Sequence, residues 1–471
     1  MPWRRAPLNS VSCWTTAIDA TPTIATIDYD DVPLRRFHLR IALCSTGGVF
    51  ADGFGLGIIG IALTLAAPQM GLGPVWLGLL GGASLAGLFA GALLTGPVAD
   101  RFGRRPIFAY NMLLLAPLSM IQLVVHGGGE LLMLRLAIGF LLGTDYVLSK
   151  TLLTEFSPRR LRGRILGLLS IAWAGGYASA YLVGFMLTPL GSSSWRWMLL
   201  ASAVPCLLIA PLRLTVPESP LWLTNRGLSA RAAAVIREKF GTHVRPPLRA
   251  VRIATDRGRW HQLFSTRWRT RTLVACAFFA CQVIPYFAVG TFVAQVMSAL
   301  NLAGGYVGGL IYNLALLAGA ITGLLIIDRL RRRTFLIGSF CLAAASMLVL
   351  TLWRDVPLIP MIVLFSLFAC VLSAASNLVY VYLPELFPTD LRASGIGLAI
   401  AASRIGSALG TFLLPVVVAR YGVRAALAAC VIVLGIGAAI CLRWAPETRN
   451  LGFQALDEPE TPDVSRRSSG L

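Results

Sequence analysis

The chain has 471 residues, of which 56% are hydrophobic and only 13% are charged. This apolar share is larger than a soluble core can bury, so the composition excludes an ordinary soluble protein and indicates a polytopic membrane protein. The net charge of +20 would suggest nucleic-acid binding in a soluble protein, whereas in a membrane protein basic residues also collect in the loops on one side.

Twelve apolar runs follow one another, each suited to about 20 residues of membrane-spanning helix. The predicted helices are 39–67, 75–99, 106–125, 131–153, 164–188, 195–216, 271–298, 304–327, 334–353, 357–381, 394–418 and 423–444. They predict two six-helix bundles, residues 37–216 and 271–445. A cytosolic N-terminal tail (1–36), a cytoplasmic central loop (217–270) with an amphipathic helix near 231–239, and a cytosolic C-terminal tail (446–471) complete the chain.

Lysine and arginine are distributed unequally between the loops. Most of them lie in the tails, the central loop and every second short loop. The alternate loops hold only Arg196, Arg354, Arg420 and Arg424. This asymmetry follows the positive-inside rule, so both termini and the central loop are predicted to be cytoplasmic. It also explains the net charge without nucleic acid as a partner.

Three charged motifs recur at nearly one offset. Asp100 and Asp328 each open a basic loop, and they are 228 residues apart. Residues 155–162 (EFSPRRLR) and 385–392 (ELFPTDLR) share the pattern E-x-x-P-x-x-L-R at an offset of 230. The dipeptide Pro-Glu at 217 recurs at 446, an offset of 229. These matches indicate two copies of one membrane unit.

Several motifs resemble those of a known family, the major facilitator superfamily. Residues 96–105 (GPVADRFGRR) resemble its loop between helices 2 and 3, and Arg135 with Gly139 and Gly143 resembles its helix 4 motif. Segments similar to the sugar porter and metabolite:proton symporter branch are 217–223 (PESPLWL), 384–389 (PELFPT) and 446–449 (PETR). The resemblance covers about residues 37 to 450.

The resemblance implies an all-α membrane protein with twelve transmembrane helices arranged as two pseudo-symmetric six-helix bundles. It implies a secondary active transporter in the plasma (inner) membrane that imports a small polar metabolite with protons by alternating access. Relatives commonly carry a second acid where this chain has Gly55, and hexose carriers usually have Gln-Gln where it has Cys281-Gln282. A sugar, an organic acid and an aromatic acid all remain open as substrates.

Two aspartates within the predicted helices are candidates for proton coupling. Asp52 lies in helix 1 and Asp145 in helix 4. A charged group inside a span costs a few kcal/mol, so it normally faces a cavity or a partner. The alternative is a structural ion pair, either Asp145 with Lys150 or Arg135, or Asp52 with Arg404.

Polar and aromatic residues of the predicted helices supply candidates for substrate binding. Arg404 offers a planar fork to a carboxylate, although it could equally neutralise an aspartate. Trp173 could stack on a ring or simply fill a helix contact. The remaining candidates are Gln282, Tyr286, Asn313, Asn377 and Tyr380. Each of these is equally explained by hydrogen bonding between helices.

The loop charges are predicted to form gating ion pairs that hold the cytoplasmic side closed. The positive-inside rule explains the arginines of these loops. It does not explain the acids near them, because acids contribute little to membrane orientation. The predicted sets are Asp100 with Arg101, Arg104 and Arg105; Glu155 with Arg162; Asp328 with Arg329 and Arg332; and Glu385 with Arg392.

Two other functions fit the same fold, a drug or metabolite:proton antiporter and a receptor that does not transport. The Pro-Glu-Ser and Pro-Glu-Thr motifs disfavour the antiporter, and the short predicted tails disfavour the receptor. We expect no enzyme activity, metal or cofactor, because no metal-ligand spacing, nucleophile–base set or phosphate loop is present. Protons, the lipid bilayer and a small-molecule substrate are the expected partners, and we expect a functional monomer.

Overall fold

The computed structural model describes residues 27–245, 259–300, 305–327, 329–354, 356–387 and 389–448. In this part of the chain, twelve helices are long and apolar enough to cross a membrane. The twelve predicted helices are therefore confirmed in number and order. We number them 1 to 12 along the chain.

Most of these helices are continuous. Their bounds are helix 1, Arg36–Gln69; helix 2, Pro74–Phe102; helix 3, Arg104–Ile121; helix 4, Gly128–Phe156; helix 5, Arg162–Leu187; helix 8, Gly305–Ile326; helix 9, Arg332–Leu352; helix 11, Thr389–Tyr421; and helix 12, Val423–Trp444. Three are interrupted: helix 6, Ser194–Ala201 and Ala203–Leu214; helix 7, Arg269–Thr291 and Val293–Ala299; and helix 10, Leu358–Ser376 and Leu378–Glu385. Short 3-10 segments lie at Tyr29–Asp31, Gln122–Val124, Thr188–Leu190 and Arg259–Phe264.

The two halves repeat one packing scheme. Helix 1 packs along helix 5 and helix 2 along helix 4, and likewise helix 7 packs along helix 11 and helix 8 along helix 10. Glycines set how closely the backbones approach. A Cβ atom on Gly87 would lie 2.2 Å from the carbonyl oxygen of Leu136, and one on Gly319 would lie 2.2 Å from that of Cys370. Small residues at such crossings allow the van der Waals contact on which helix association in lipid depends.

The halves meet along helices 2 and 11 and along helices 5 and 8. A further contact joins helix 1 to helices 7 and 8 near the last turns of helix 1. A Cβ atom on Gly60 would lie 1.8 Å from the Thr291 carbonyl oxygen, and the hydroxyls of Thr64 and Tyr306 are hydrogen-bonded at 3.0 Å.

We call the end of the molecule where helix 1 begins and helix 2 ends the basic end. The chain leaving helix 6 crosses this end and forms two short helices, Pro220–Asn225 and Ser229–Phe240. The second confirms the amphipathic helix predicted near residues 231–239. Its apolar face buries Ala232, Ile236 and Phe240.

Residues 27–35, which we call the N-terminal strap, lie against this central segment. The strand Ile27–Asp28 pairs in parallel with Val244–Arg245. The Arg35 guanidinium donates to the carbonyl oxygen of Phe240 at 2.6 Å. Part of the predicted tail therefore has a defined structure, while residues 1–26 lie outside the described residues.

We expect Gly87→Val to destabilise the protein by about 1–3 kcal/mol, because the added atoms would force helices 2 and 4 apart. Thermal unfolding of purified protein in detergent measures this change. Gly338→Val in helix 9 is the matched control, since a Cβ atom at Gly338 meets nothing within 4 Å. Equal melting temperatures for the two variants would contradict the role given to Gly87.

Candidate functional site

A cavity lies at the centre of the molecule, between the two halves. Helices 1, 2, 4 and 5 line it from one side and helices 7, 10 and 11 from the other. Most of its wall is apolar or aromatic. The polar and aromatic lining residues are Asp52, Tyr146, Ser170, Trp173, Phe279, Tyr286, Phe287, Ser373, Ser376, Tyr380 and Arg404.

Asp145 is ion-paired with Arg213, the arginine in the last turn of helix 6. Both side chains are fully buried. Arg213 Nη1 donates to Asp145 Oδ1, Nη2 donates to Oδ2 at 3.0 Å, and Ser149 Oγ also donates to Oδ2 at 3.0 Å. The alternative partners expected for Asp145, Lys150 and Arg135, were therefore wrong.

A glycine in helix 1 makes room for this pair. A Cβ atom on Gly48 would lie 1.5 Å from Arg213 Nη2 and 2.7 Å from Asp145 Oδ2. No side chain fits at this position. Glycine therefore lets the backbone of helix 1 pack directly against the ion pair. Asp52 follows Gly48 by one helical turn.

Asp52 lies on the cavity wall and is buried. Neither of its carboxylate oxygens receives a hydrogen bond from the described part of the chain. Its charged neighbours are Asp145 and Arg213. The alternative considered for Asp52, an ion pair with Arg404, is not formed. Two carboxyl groups therefore stand beside one arginine.

Two cations from opposite halves meet at Tyr146. Lys150 Nζ of helix 4 lies 2.5 Å from the Tyr146 hydroxyl and 3.8 Å from the centroid of the same ring. Arg404 Cζ of helix 11 lies 5.0 Å from that centroid. Tyr380 of helix 10 completes the group, since Lys150 Nζ is 4.5 Å from its ring centroid.

Aromatic rings from both halves also meet in the cavity. The Trp173 ring of helix 5 lies 5.8 Å from the Tyr286 ring and 5.7 Å from the Phe287 ring, both of helix 7. Tyr177 stacks behind Trp173 at 5.1 Å. The predicted substrate residues Trp173, Tyr286, Tyr380 and Arg404 are thus brought together.

Three predicted substrate residues are placed elsewhere. Gln282 donates to the Leu372 carbonyl oxygen and to Ser376 Oγ, both at 3.0 Å. Asn313 donates to the Gly309 carbonyl oxygen at 2.7 Å, and Asn377 donates to those of Ala320 and Ala374. Their amide nitrogens thus form hydrogen bonds with helix backbones of the second half. The three residues do not line the central cavity.

At the basic end of the first half, Glu218 caps helix 3. Its carboxylate accepts hydrogen bonds from the backbone amides of Arg104 and Arg105 at 3.1 Å. A carboxylate at a helix N-terminus is stabilised by the free amides and the helix dipole. Gly103, with φ of +100°, permits the approach, since a Cβ atom there would lie 2.5 Å from Glu218 Oε2. The Arg104 side chain is ion-paired with Glu155 and lies 3.5 Å from Asp100.

The second half repeats this arrangement. Glu447 accepts hydrogen bonds from the backbone amides of Arg332 and Arg333 at 3.0 and 3.1 Å. Arg332 Nε lies 3.8 Å from Glu385 Oε2. The two Pro-Glu motifs therefore supply equivalent helix caps.

Several predicted gating pairs have other partners. Arg162 pairs with Asp30 of the strap at 2.9 Å instead of with Glu155. Arg101 lies over the Phe102 ring, and Arg392 Nε donates to the Phe387 carbonyl oxygen at 3.4 Å. Asp328 lies outside the described residues, so its predicted pairs with Arg329 and Arg332 stay predictions. The Arg104–Glu155 and Arg332–Glu385 pairs each join elements of one half.

Residues 42–459 match the family model described as "Sugar (and other) transporter". The chain belongs to this family. Among its relatives, the inner membrane metabolite transport protein YgcS of Escherichia coli (strain K12) is 40% identical over 427 residues, which cover 90% of this chain and 95% of YgcS. The niacin transporter NiaP of Acinetobacter baylyi is 26% identical over 388 residues, covering 80% and 86% of the two chains.

The partially occluded inward-open structure of the xylose transporter XylE from E. coli matches this sugar transporter family member with a TM-score of 0.73. The match is at 19% identity and covers 87% of this chain and 100% of that one. This likeness establishes the major facilitator fold, as the motifs predicted. The protein is thus a multi-pass membrane transporter of small molecules.

Sequence reasoning missed two functional features of this transporter. Arg213 was counted within the sixth apolar run, although a buried arginine in a span calls for a partner. Lys150 was considered only as a partner of Asp145, although it shares the cavity-lining Tyr146 ring with Arg404. An inventory of all charges inside the predicted spans, Arg213 included, would have drawn attention to both.

We expect Asp145→Asn and Arg213→Gln each to destabilise the transporter by about 3–5 kcal/mol, because each leaves a buried charge unpaired. The double variant removes both charges, so it regains part of that loss. A double-mutant cycle of thermal unfolding in detergent measures the coupling. Additive losses in the double variant would contradict a direct ion pair.

We expect Glu218→Gln to lower stability by about 1 kcal/mol, since the helix 3 cap loses its charge. The matched control is Glu238→Gln, whose carboxylate is exposed beside Lys239. Comparison of their melting temperatures checks this. If Glu238→Gln lowers the melting temperature as much as Glu218→Gln does, the helix 3 cap does not contribute specifically to stability.

Proposed function

We propose that the protein is a proton-coupled symporter that imports a small polar metabolite by alternating access. The observation that carries this proposal is Asp52, a buried carboxylate on the cavity wall that receives no hydrogen bond in the described part of the chain. Burying an ionised group without a partner costs free energy, whereas the neutral acid is tolerated. Asp52 is therefore suited to exchange a proton with the cavity.

Asp145 and Arg213 have a supporting role in this proposal. Two carboxyl groups with one arginine carry a net charge of −1 when both are ionised, and a proton on Asp52 makes the group neutral. A protonated Asp52 also becomes a hydrogen-bond donor next to the Asp145 carboxylate. Like charges that share a site do not ionise independently. In this proposal the transported proton is carried on Asp52. The Asp145 carboxylate accepts a hydrogen bond from the protonated Asp52, and Arg213 is the fixed counter-ion.

Alternating access is supported by where the halves touch. The contacts of Gly60 with Thr291 and of Thr64 with Tyr306 lie beyond the cavity, on the side away from the basic end. These contacts would separate when the halves rock and open the site toward that side. XylE, which shares the fold, is described as a proton:xylose symporter, a coupling consistent with this scheme.

The gating role of the basic end lies in its loops in this scheme. The Arg104–Glu155 and Arg332–Glu385 pairs hold each half in a fixed shape, and the charged loops around them rearrange when the site opens. The arginine distribution supports an orientation with the basic end and both termini on the cytoplasmic side of the inner membrane. We take the working unit to be one chain, since the cavity is complete within it.

We expect Asp52→Asn to abolish accumulation while counterflow exchange of the same substrate persists, because exchange needs no net proton movement. Uptake of a labelled panel of sugars, organic acids and aromatic acids in expressing cells, with and without a protonophore, measures this. Asp52→Glu, which keeps the carboxyl group, is the matched control and should retain part of the accumulation. Protonophore-insensitive accumulation by the wild type, shared by Asp52→Asn, would overturn proton coupling.

A further inference from the structure

The unexplained feature of the cavity is the positive charge beside it. Arg404 lines the cavity, and Lys150 lies against the lining residue Tyr146. Lys150 and Arg404 come from different halves and lie on one ring, that of Tyr146. Because both cations contact the same ring, they are close enough to repel each other. Within the described residues, the acids near the cavity are Asp52 and Asp145, and Asp145 is already paired with Arg213.

The partners of these cations are phenol groups and rings. Lys150 donates to the Tyr146 hydroxyl. Arg404 is buried, and its Nε atom lacks a hydrogen-bond partner in the described part of the chain. Cation–π contact lowers the cost of such burial without cancelling the charge. A guanidinium with an unused donor next to an ammonium group is an arrangement that favours an anion, above all a carboxylate.

The rest of the wall favours a flat ring. The Trp173 and Tyr286 rings are in contact across the halves, with centroids 5.8 Å apart and planes tilted by 43°, and Phe287 lies beside both. Aromatic side chains bind planar rings by stacking or edge contact. Binding of a sugar needs many hydrogen-bonding groups. Gln282, Asn313 and Asn377 do not line this cavity, and their amide nitrogens donate to backbone carbonyls.

We propose that the cavity binds a small carboxylic acid anion with a planar ring, its carboxylate between Lys150 and Arg404 and its ring against Trp173 and Tyr286. This inference rests on the proposed transport function. Because the two cations belong to different halves, the bound carboxylate bridges the halves and draws them together. Similarity to a niacin transporter is consistent with this class, since niacin is a ring carboxylate.

Binding to purified full-length protein in detergent, measured by calorimetry without a proton gradient, tests the proposal. The probes are benzoate and nicotinate, their neutral amides benzamide and nicotinamide, cyclohexanecarboxylate, and xylose. We expect the two ring acids to bind at least about tenfold more tightly than their amides, because the amides lose the charged hydrogen bonds. Cyclohexanecarboxylate, which keeps the charge without the flat ring, should also bind more weakly.

Arg404→Gln and Lys150→Gln should each weaken binding of the ring acids by at least about tenfold. Arg404→Lys keeps the charge and shows whether a weakened Arg404→Gln variant is merely misfolded. The control is Arg196→Gln, an arginine whose Nη1 atom donates to the Leu123 carbonyl oxygen away from the cavity. Its binding should equal that of the wild type.

Equal binding of acids and amides, unchanged binding in Arg404→Gln, or no binding of either ring acid would overturn the proposal. Equal binding of cyclohexanecarboxylate would overturn the assignment of a planar ring. Binding of ring acids together with uptake that does not depend on protons would leave the anion site standing and overturn proton coupling alone. The two proposals therefore fail in different experiments.

Discussion

The cost of placing a charge inside a membrane-spanning bundle governs this structure. Each ionic group there needs a partner or a ligand, since lipid and apolar side chains give it no solvation. Asp145 and Arg213 meet this requirement with each other and with Ser149. Within the described residues, Asp52 receives no hydrogen bond and Arg404 Nε has no acceptor, and both residues line the central cavity. The distinction between paired and unpaired buried charges separates the groups that hold the fold from those available for transport.

The repeat is faithful at the basic end and broken at the centre. Glu218 and Glu447 cap equivalent helices, and their arginines pair with equivalent acids. In the bundle interior, by contrast, Cys281 stands 229 residues after Asp52, and Ala375 stands 230 residues after Asp145. Architecture is therefore shared by both halves, whereas the buried acids belong to the first half alone at these positions.

The helices, the repeat and the cavity-lining Trp173, Tyr286, Tyr380 and Arg404 could be predicted because apolar length and local motifs reveal them. Ion-pair partners could not. Arg213 is 68 residues from Asp145, and only the packing of helices 1, 4 and 6 brings them together. Expecting Arg162 to pair with Glu155 relied on sequence proximity, while the actual partner, Asp30, lies in a segment treated as a tail. Helices that are apolar on all sides also hide which face Gln282 or Asn313 presents.

The N-terminal strap has a mechanical consequence. In the described part of the chain it is fastened to the central segment, through its strand partner Val244–Arg245 and the Arg35 contact with Phe240, and to the first half, through the ion pair of Asp30 with Arg162. The chain entering helix 1 and the chain leaving helix 6 are thus joined to each other at the basic end. When the halves move relative to each other, we expect the strap and the central segment to move with the first half. A spectroscopic label near residue 27 would therefore report the position of the first half.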